Sequence, residues 1–171
     1  MKNIRISVVL VCVCFGMLVG GCSVGQRTAG WNGLQQSEST RFVILPLADC
    51  IETPGSGVAC QEILARILQS QFRSMIVDAW TPPGYNAMRV YSTDDALALC
   101  RQRAATYVLF GECKQFSSKA SGLDIRVVQV SDGLTVYSWN ASLVGPPGGG
   151  EEPRGIIKDI AEEIAKEMSA K

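Results

Sequence analysis

The residues of this 171-residue chain that could do chemistry are its seven cysteines, because histidine is absent altogether. Histidine is the commonest general base and metal ligand in proteins, so its absence counts against an enzyme. The other polar clusters have simpler explanations: Asp94 and Asp95 are typical of the first turn of a helix, and Ser131-Asp132-Gly133 is typical of a turn. The sequence therefore predicts no catalytic residues, no cofactor and no enzymatic activity.

The composition indicates one globular domain with a short extension. Hydrophobic residues make up 47% of the chain and charged residues 19%, which is ordinary for a folded protein. The 16 basic and 16 acidic side chains balance, which argues against a nucleic-acid-binding surface. The length admits one ordinary domain rather than two.

Three of the cysteines lie near the amino terminus, where the sequence has the pattern of an export signal. Lys2 and Arg5 form a positive head, and the run from Ile6 to Leu18 carries no charge. That run falls well short of the ~20 apolar residues that span a bilayer as a helix. A cleaved signal peptide over residues 1–21 is therefore expected.

The end of this signal, LVGGC at residues 18–22, resembles the bacterial lipobox. The resemblance implies that Cys22 receives a diacylglycerol, that cleavage follows on its amino side, and that a further acyl chain such as palmitate is added. Two or three acyl chains anchor a protein durably to a membrane, whereas one does not. Ser23 follows Cys22 instead of the aspartate linked to inner-membrane retention, so the similarity implies the periplasmic leaflet of the outer membrane. The alternative is a plain signal peptide with an incidental cysteine.

After Cys22 the chain is predicted to continue as a flexible tether up to residue 40. Residues 23–40 are polar, contain three glycines and show no sustained hydrophobic period. Trp31 is the exception: it packs on the domain, sits near the membrane, or anchors a partner. The periplasmic domain is predicted to occupy residues 41–171.

Hydrophobic periodicity predicts the order β-α-β-α-β-β-β-α for this domain. Short apolar runs begin at Phe42 and Met75, with a helical stripe between them. The stretch 92–103 reads as a capped helix, and a further short strand over 88–91 is an option. Three strands follow, and seven apolar residues then mark one face of a closing helix: Ile156, Ile157, Ile160, Ala161, Ile164, Ala165 and Met168. The predicted fold class is α/β (α+β), a single domain with a mixed sheet and helices packed against it.

Three stretches of this domain resemble a group of small periplasmic domains. They are RFVILPLAD at 41–49, TYVLFGECKQF at 106–116 and DIRVVQVSDGLTVYSW at 124–139. The group comprises the amino-terminal domain of TolB, the penicillin-binding-protein activator lipoproteins and the core of the curli-secretion lipoprotein CsgG. The resemblance implies the fold, and it implies the task less directly, because unrelated functions share folds.

Four cysteines belong to the domain itself, and an oxidising compartment would favour disulfides among them. Parallel topology predicts that Cys50, Cys60 and Cys113 gather at one sheet edge, with Cys100 buried elsewhere. A bridge between Cys50 and Cys60 is favoured, and Cys50 with Cys113 is its main rival. Zinc binding is a weak alternative because paired C-x₂₋₄-C spacing is missing, and a thiol oxidoreductase would want C-x-x-C.

The favoured function is an outer-membrane lipoprotein that acts as a non-enzymatic accessory or docking factor in envelope assembly or transport. Its partners would be the membrane, through the lipid anchor, and an envelope protein, while homo-oligomerisation stays open. The predicted partner surface is the loop of Trp80, Pro82, Pro83 and Tyr85, where aromatics and prolines cluster, although an ordinary loop is the simpler explanation. The alternative function is a subunit of a CsgG-like secretion channel.

Overall fold

Five strands and three helices build the domain in the computed structural model, which describes residues 37–117, 120–144 and 153–169. The elements are β1 (Arg41–Ile44), α1 (Ser56–Gln71), β2 (Ile76–Ala79), α2 (Thr93–Arg101), β3 (Tyr107–Phe116), β4 (Ala120–Gln129), β5 (Thr135–Val144) and α3 (Pro153–Ser169). The predicted element order and fold class are confirmed. The signal peptide, Cys22 and Trp31 lie outside the described residues.

The strands form one mixed sheet in the order β2-β1-β3-β4-β5. β1 runs parallel to β2 and β3, whereas β3, β4 and β5 form an antiparallel meander. The suggested strand over 88–91 is wrong. That segment pairs with none of the described strands, and Tyr91 packs with Val108 and Phe110 on the face of the sheet that α2 covers.

The two faces of the sheet are covered unequally. α1 and α3 pack together over one face, where Phe42, Leu109 and Trp139 lie among the buried residues. All seven apolar residues predicted for the last helix are buried there, with exposures of 0–2%. The opposite face is covered by the nine-residue α2, which buries Leu97 and Cys100.

Local signals start α2 as the sequence predicts. The Asp95 N–H donates to Ser92 Oγ at 3.1 Å, and the Ser92 N–H donates to Asp95 Oδ2 at 3.4 Å. This reciprocal arrangement is a capping box, which satisfies two backbone donors that the helix leaves free. The hydrogen bond from Arg89 lowers the pKa of Asp95 from its ordinary value.

The outer edge of β2 is protected by a side chain from α1. Gln69 Oε1 accepts the Val77 N–H at 3.2 Å, and Gln69 Nε2 donates to the Met75 carbonyl at 3.4 Å. An unpaired strand edge is a template for association with another chain. Gln69 thus forms hydrogen bonds with two backbone groups that another chain could otherwise pair with.

Candidate functional site

The predicted partner loop is held by the domain itself. Pro82 is buried, Trp80 and Tyr85 are half-buried, and Pro83 is exposed. Tyr85 Oη donates to the Leu47 carbonyl at 3.1 Å, and burial raises the pKa of Tyr85 to about 12. The Trp80 ring lies 4.6 Å from the Arg103 guanidinium carbon, a cation–π contact. Both rings contact the domain itself, which leaves less of their surface for a partner. The partner role of this loop stays a prediction.

Exposed apolar side chains lie farther along the same segment. Met88 is 58% exposed and Val90 is 51% exposed, beside the buried ring of Tyr91. Val90 and Tyr91 form one wall of a groove of about 130 Å³, whose floor is the sheet at Phe110 and Arg126. Apolar side chains at the rim of a groove are typical of a contact surface. Nothing in the sequence pattern singles out Met88 and Val90, because the partner loop was predicted from aromatic rings and prolines and this pair contains neither.

The floor of the groove continues into a charged face on β3, β4 and β5. Glu112 stands directly opposite Asp124 in the strand register, and Asp124 stands opposite Asn140. Carboxylates that face each other across two strands destabilise a sheet unless a counter-charge is near. Lys114 provides that charge, because its Nζ lies 3.0 Å from Asp124 Oδ2 and 3.3 Å from Asn140 Oδ1.

We call this region the open face: Glu112, Lys114, Asp124, Arg126 and Asn140, with Val90 at its rim. It carries charges of both signs, and Lys114, Arg126 and Asn140 are exposed. Antiparallel sheets commonly leave one face to solvent, and such a face is polar. The alternation Leu123-Asp124-Ile125-Arg126-Val127 signals this polar side in the sequence. The charge pairing across strands depends on the register of β4 against β3 and β5, which that pattern does not specify.

A second cluster lies where β1 leads into α1. The Asp49 carboxylate accepts the Gly55 N–H at 2.6 Å and the Gly57 N–H at 2.7 Å, so it caps the helix from outside it. Ser56 Oγ accepts the Cys50 N–H at 2.8 Å. A Cβ on Gly57 would come within 1.9 Å of the Leu47 carbonyl oxygen. Glycine at this position therefore lets α1 pack directly against the backbone at Leu47, which follows β1.

The predicted cysteine cluster sits beneath this cap. Cys50, Cys60 and Cys113 belong to the core under α1 and α3, whereas Cys100 is buried on the opposite face. All four are free thiols in the structure, so the favoured bridge between Cys50 and Cys60 is not formed. Cys60 points toward β3 from the helix, and its Sγ lies 3.5 Å from Cys113 Sγ. Cys50 belongs to the turn before the helix, where its carbonyl accepts the Thr53 N–H at 2.9 Å.

The two neighbouring thiols differ in acidity. The hydrogen bond that Cys60 donates to Cys113 raises the pKa of Cys60, and burial raises it further. The same hydrogen bond lowers the pKa of Cys113 against the opposing effect of burial. Burial raises the pKa of the isolated Cys100 to about 12. Cys113 is therefore the thiol of this pair that ionises more readily.

A cleft of about 420 Å³ borders this cluster, whose thiols are themselves buried. Its walls are residues 49–52 on one side and residues 112–115 on the other, so Cys50 and Cys113 both line it. Ile51, which is 84% exposed, stands at its edge. Within the described part of the chain, no group of three histidine, cysteine or acidic side chains is placed to hold a metal ion. Among the described helices, none combines the length and apolar character that spanning a bilayer requires.

Known proteins resemble this chain in structure rather than in sequence. No family model matches it, and no curated protein matches it significantly. The PelC dodecamer from Paraburkholderia phytofirmans matches with 18% identity and a TM-score of 0.66, over 88% of this chain and 99% of that chain. A DUF330 protein from Xanthomonas campestris matches with 10% identity and a TM-score of 0.51, over 85% of this chain and 90% of that chain.

TolB from Acinetobacter baumannii, which belongs to the group named from the sequence, is also among the structural neighbours. It has 14% identity and a TM-score of 0.47, over 78% of this chain and 27% of that chain. At such low identities, structural similarity speaks for shared architecture and not for shared activity. The matches with PelC and the DUF330 protein show that this chain has their fold.

Proposed function

We propose that this chain is a lipid-anchored, non-enzymatic accessory protein of the bacterial envelope that works as a homo-oligomer and docks onto another envelope component. The observation that carries the proposal is the similarity to PelC over 88% of this chain and 99% of that one, because that protein was solved as a dodecamer. A domain of the same extent and fold is a suitable building block for an assembly of the same kind. Cys22 would carry the lipid, and the periplasmic leaflet of the outer membrane would be its address.

The open face supports the oligomer. It carries Glu112 and Asp124 together with Lys114 and Arg126, so two copies can meet without net repulsion. Val90, which is more than half exposed, adds apolar area at the rim of the same face. We assign this face to contact between copies of the chain, since mixed charge and exposed apolar side chains suit a self-complementary interface.

Anchoring to one membrane would promote this association. The tether predicted over residues 23–40 would span roughly 25 Å as a coil, which would let anchored domains reach their neighbours without detaching. Confinement to the bilayer raises the effective concentration of the copies, which strengthens weak contacts between them. The same tether would let an assembled oligomer approach a partner in the periplasm.

The first experiment tests the assembly. The full-length protein, purified in detergent, is analysed by light scattering coupled to size-exclusion chromatography, alongside Val90→Asp and Leu134→Asp. Both side chains are exposed, at 51% and 60%, but Leu134 lies at the hairpin turn between β4 and β5. We expect an oligomer for the parent and for Leu134→Asp, and a smaller species for Val90→Asp. A monomeric parent would contradict the assembly, and an unchanged Val90→Asp would contradict the assignment of the face.

The second experiment tests the anchor. Intact mass analysis of the native product should show a chain that begins at Cys22 and carries diacylglycerol plus an acyl chain. Cys22→Ala should lose these additions and leave the membrane fraction after cell fractionation. An unmodified Cys22 thiol in the native protein would contradict lipid anchoring.

A further inference from the structure

We propose that Cys60 and Cys113 are oxidised to a disulfide that ties α1 to β3, by exchange with a small disulfide that enters through the cleft beside them. The proposal concerns a pair that the sequence did not favour, because its members stand 53 positions apart. It does not depend on the proposed assembly.

The geometry selects this pair among the four described thiols. Their sulfurs are 3.5 Å apart, and closing a bond of ~2.05 Å requires an approach of about 1.5 Å. Cys100 is excluded by its place on the other face of the sheet. The backbone of Cys50 is held in the turn ahead of α1, because its N–H donates to Ser56 Oγ and its carbonyl accepts the Thr53 N–H.

The cleft decides which thiol reacts first. Cys113 lines it and is 2% exposed, whereas Cys60 does not line it and is fully buried, so an incoming disulfide reaches Cys113 first once the wall of the cleft opens. The lowered pKa of Cys113 agrees with this order, since the thiolate is the attacking form of cysteine. Cys60, behind Cys113, is then placed to resolve the intermediate.

The reaction balances as two thiol–disulfide exchanges. The Cys113 thiolate attacks one sulfur of the incoming disulfide, forming a mixed disulfide and releasing one thiolate. Cys60 then attacks Cys113 Sγ, its proton passes to a departing thiolate, and the second thiol leaves. Two electrons move from the cysteine pair to the small disulfide, which is thereby reduced to two thiols.

The bridge is tested on the full-length protein in detergent. The protein is reduced, freed of reductant, equilibrated with oxidised glutathione, denatured in the presence of N-ethylmaleimide, and mapped by mass spectrometry without reduction. We expect one linked peptide pair containing Cys60 and Cys113, with Cys50 and Cys100 alkylated. A bridge that involves Cys50, or alkylation of Cys60 and Cys113 together, would overturn the proposal.

Variants test the order of attack, with Cys50→Ser as the matched control. Cys50→Ser should keep the bridge between Cys60 and Cys113. In Cys60→Ser, Cys113 should accumulate as a mixed disulfide with glutathione, at least tenfold faster than Cys60 reacts in Cys113→Ser. Equal rates in the two variants would overturn the assignment of Cys113 as the first thiol to react. The pairing itself is tested by the peptide map of the parent protein, which needs no substitution.

Quenching cells in acid and then alkylating their thiols distinguishes a failure of this proposal from a failure of the proposed function. A chain that is exported should already carry the bridge when it is quenched in acid. Thiols that are reduced in cells yet form the bridge with glutathione would support the pairing and contradict the periplasmic location.

Discussion

Asp49 should be a large contributor to the stability of the domain, although it belongs to no helix or strand. Its carboxylate accepts the backbone N–H groups of Gly55 and Gly57 at 2.6 and 2.7 Å, and the residue is 8% exposed. Asp49→Ala removes both hydrogen bonds and the negative charge at the start of α1. Asp49→Asn keeps one side-chain oxygen that can accept a hydrogen bond.

The size of the effect follows from the burial of the two donors. Gly57 is buried, so its N–H cannot turn to water, and such an orphaned group costs about 1–3 kcal/mol. Gly55 is exposed and its N–H can be hydrated, which limits its share. Loss of a charge at a helix start adds about 0.3–1 kcal/mol. We expect Asp49→Ala to lower the free energy of unfolding by about 2–4 kcal/mol and Asp49→Asn by about half as much.

The assay is urea unfolding followed by far-ultraviolet circular dichroism, with thermal unfolding as a second measurement. For a domain of this size the Asp49→Ala loss corresponds to a fall in Tm of about 8–15 °C. Asp94→Ala is the matched control, because Asp94 lies in the first turn of α2 and is exposed. We expect that control to stay within about 1 kcal/mol of the parent, because it loses only an exposed charge at a helix start. If Asp49→Ala also stayed within that range, the capping role derived from the structure would be refuted.

Three further perturbations test the same framework. Gly57→Ala should cost about 1–3 kcal/mol in urea unfolding because its Cβ would meet a backbone oxygen at 1.9 Å, whereas Gly155→Ala, with open space around it, should be neutral or stabilising. Gln69→Ala uncovers the Val77 N–H at the edge of β2 and should increase aggregation, measured as light scattering when the protein is concentrated. Unchanged light scattering would contradict the protection of this edge by Gln69. Absorbance titration should find a tyrosine with a pKa of about 12 that disappears in Tyr85→Phe. Since this pKa lies above the ordinary value of 10.0, the stability it contributes is present below pH 10 and is lost as pH rises toward 12.

The elements themselves could be predicted because their signals are local. Alternation in β4, the stripe of the last helix and the Ser92 cap each depend on residues a few positions apart. The same locality explains the error over 88–91. Apolar residues there suggest a strand, but strand formation needs a neighbouring strand, and this segment pairs with none of the described strands.

The candidate sites are only partly visible in the sequence. Trp80 and Tyr85 were predicted as partner residues because aromatic rings are common in interfaces, yet both pack against the domain. Their inward orientation follows from Arg103 and the Leu47 carbonyl, which are distant in the chain. Met88 and Val90 offer the more exposed apolar surface, and exposure is a property of the folded surroundings.

The sequence by itself determined the order of the elements, the mixed sheet with packed helices, and the group of cysteines that could meet. The amino-terminal signal and the lipid on Cys22 stay predictions of that same sequence. Only the tertiary structure decided that Cys60 faces Cys113, that Glu112 stands opposite Asp124, and that Asp49 caps a helix beginning beyond its own turn. The physical reason is that these contacts depend on strand register and on how α1 seats against the sheet, which are set by packing of the whole core and not by neighbouring residues.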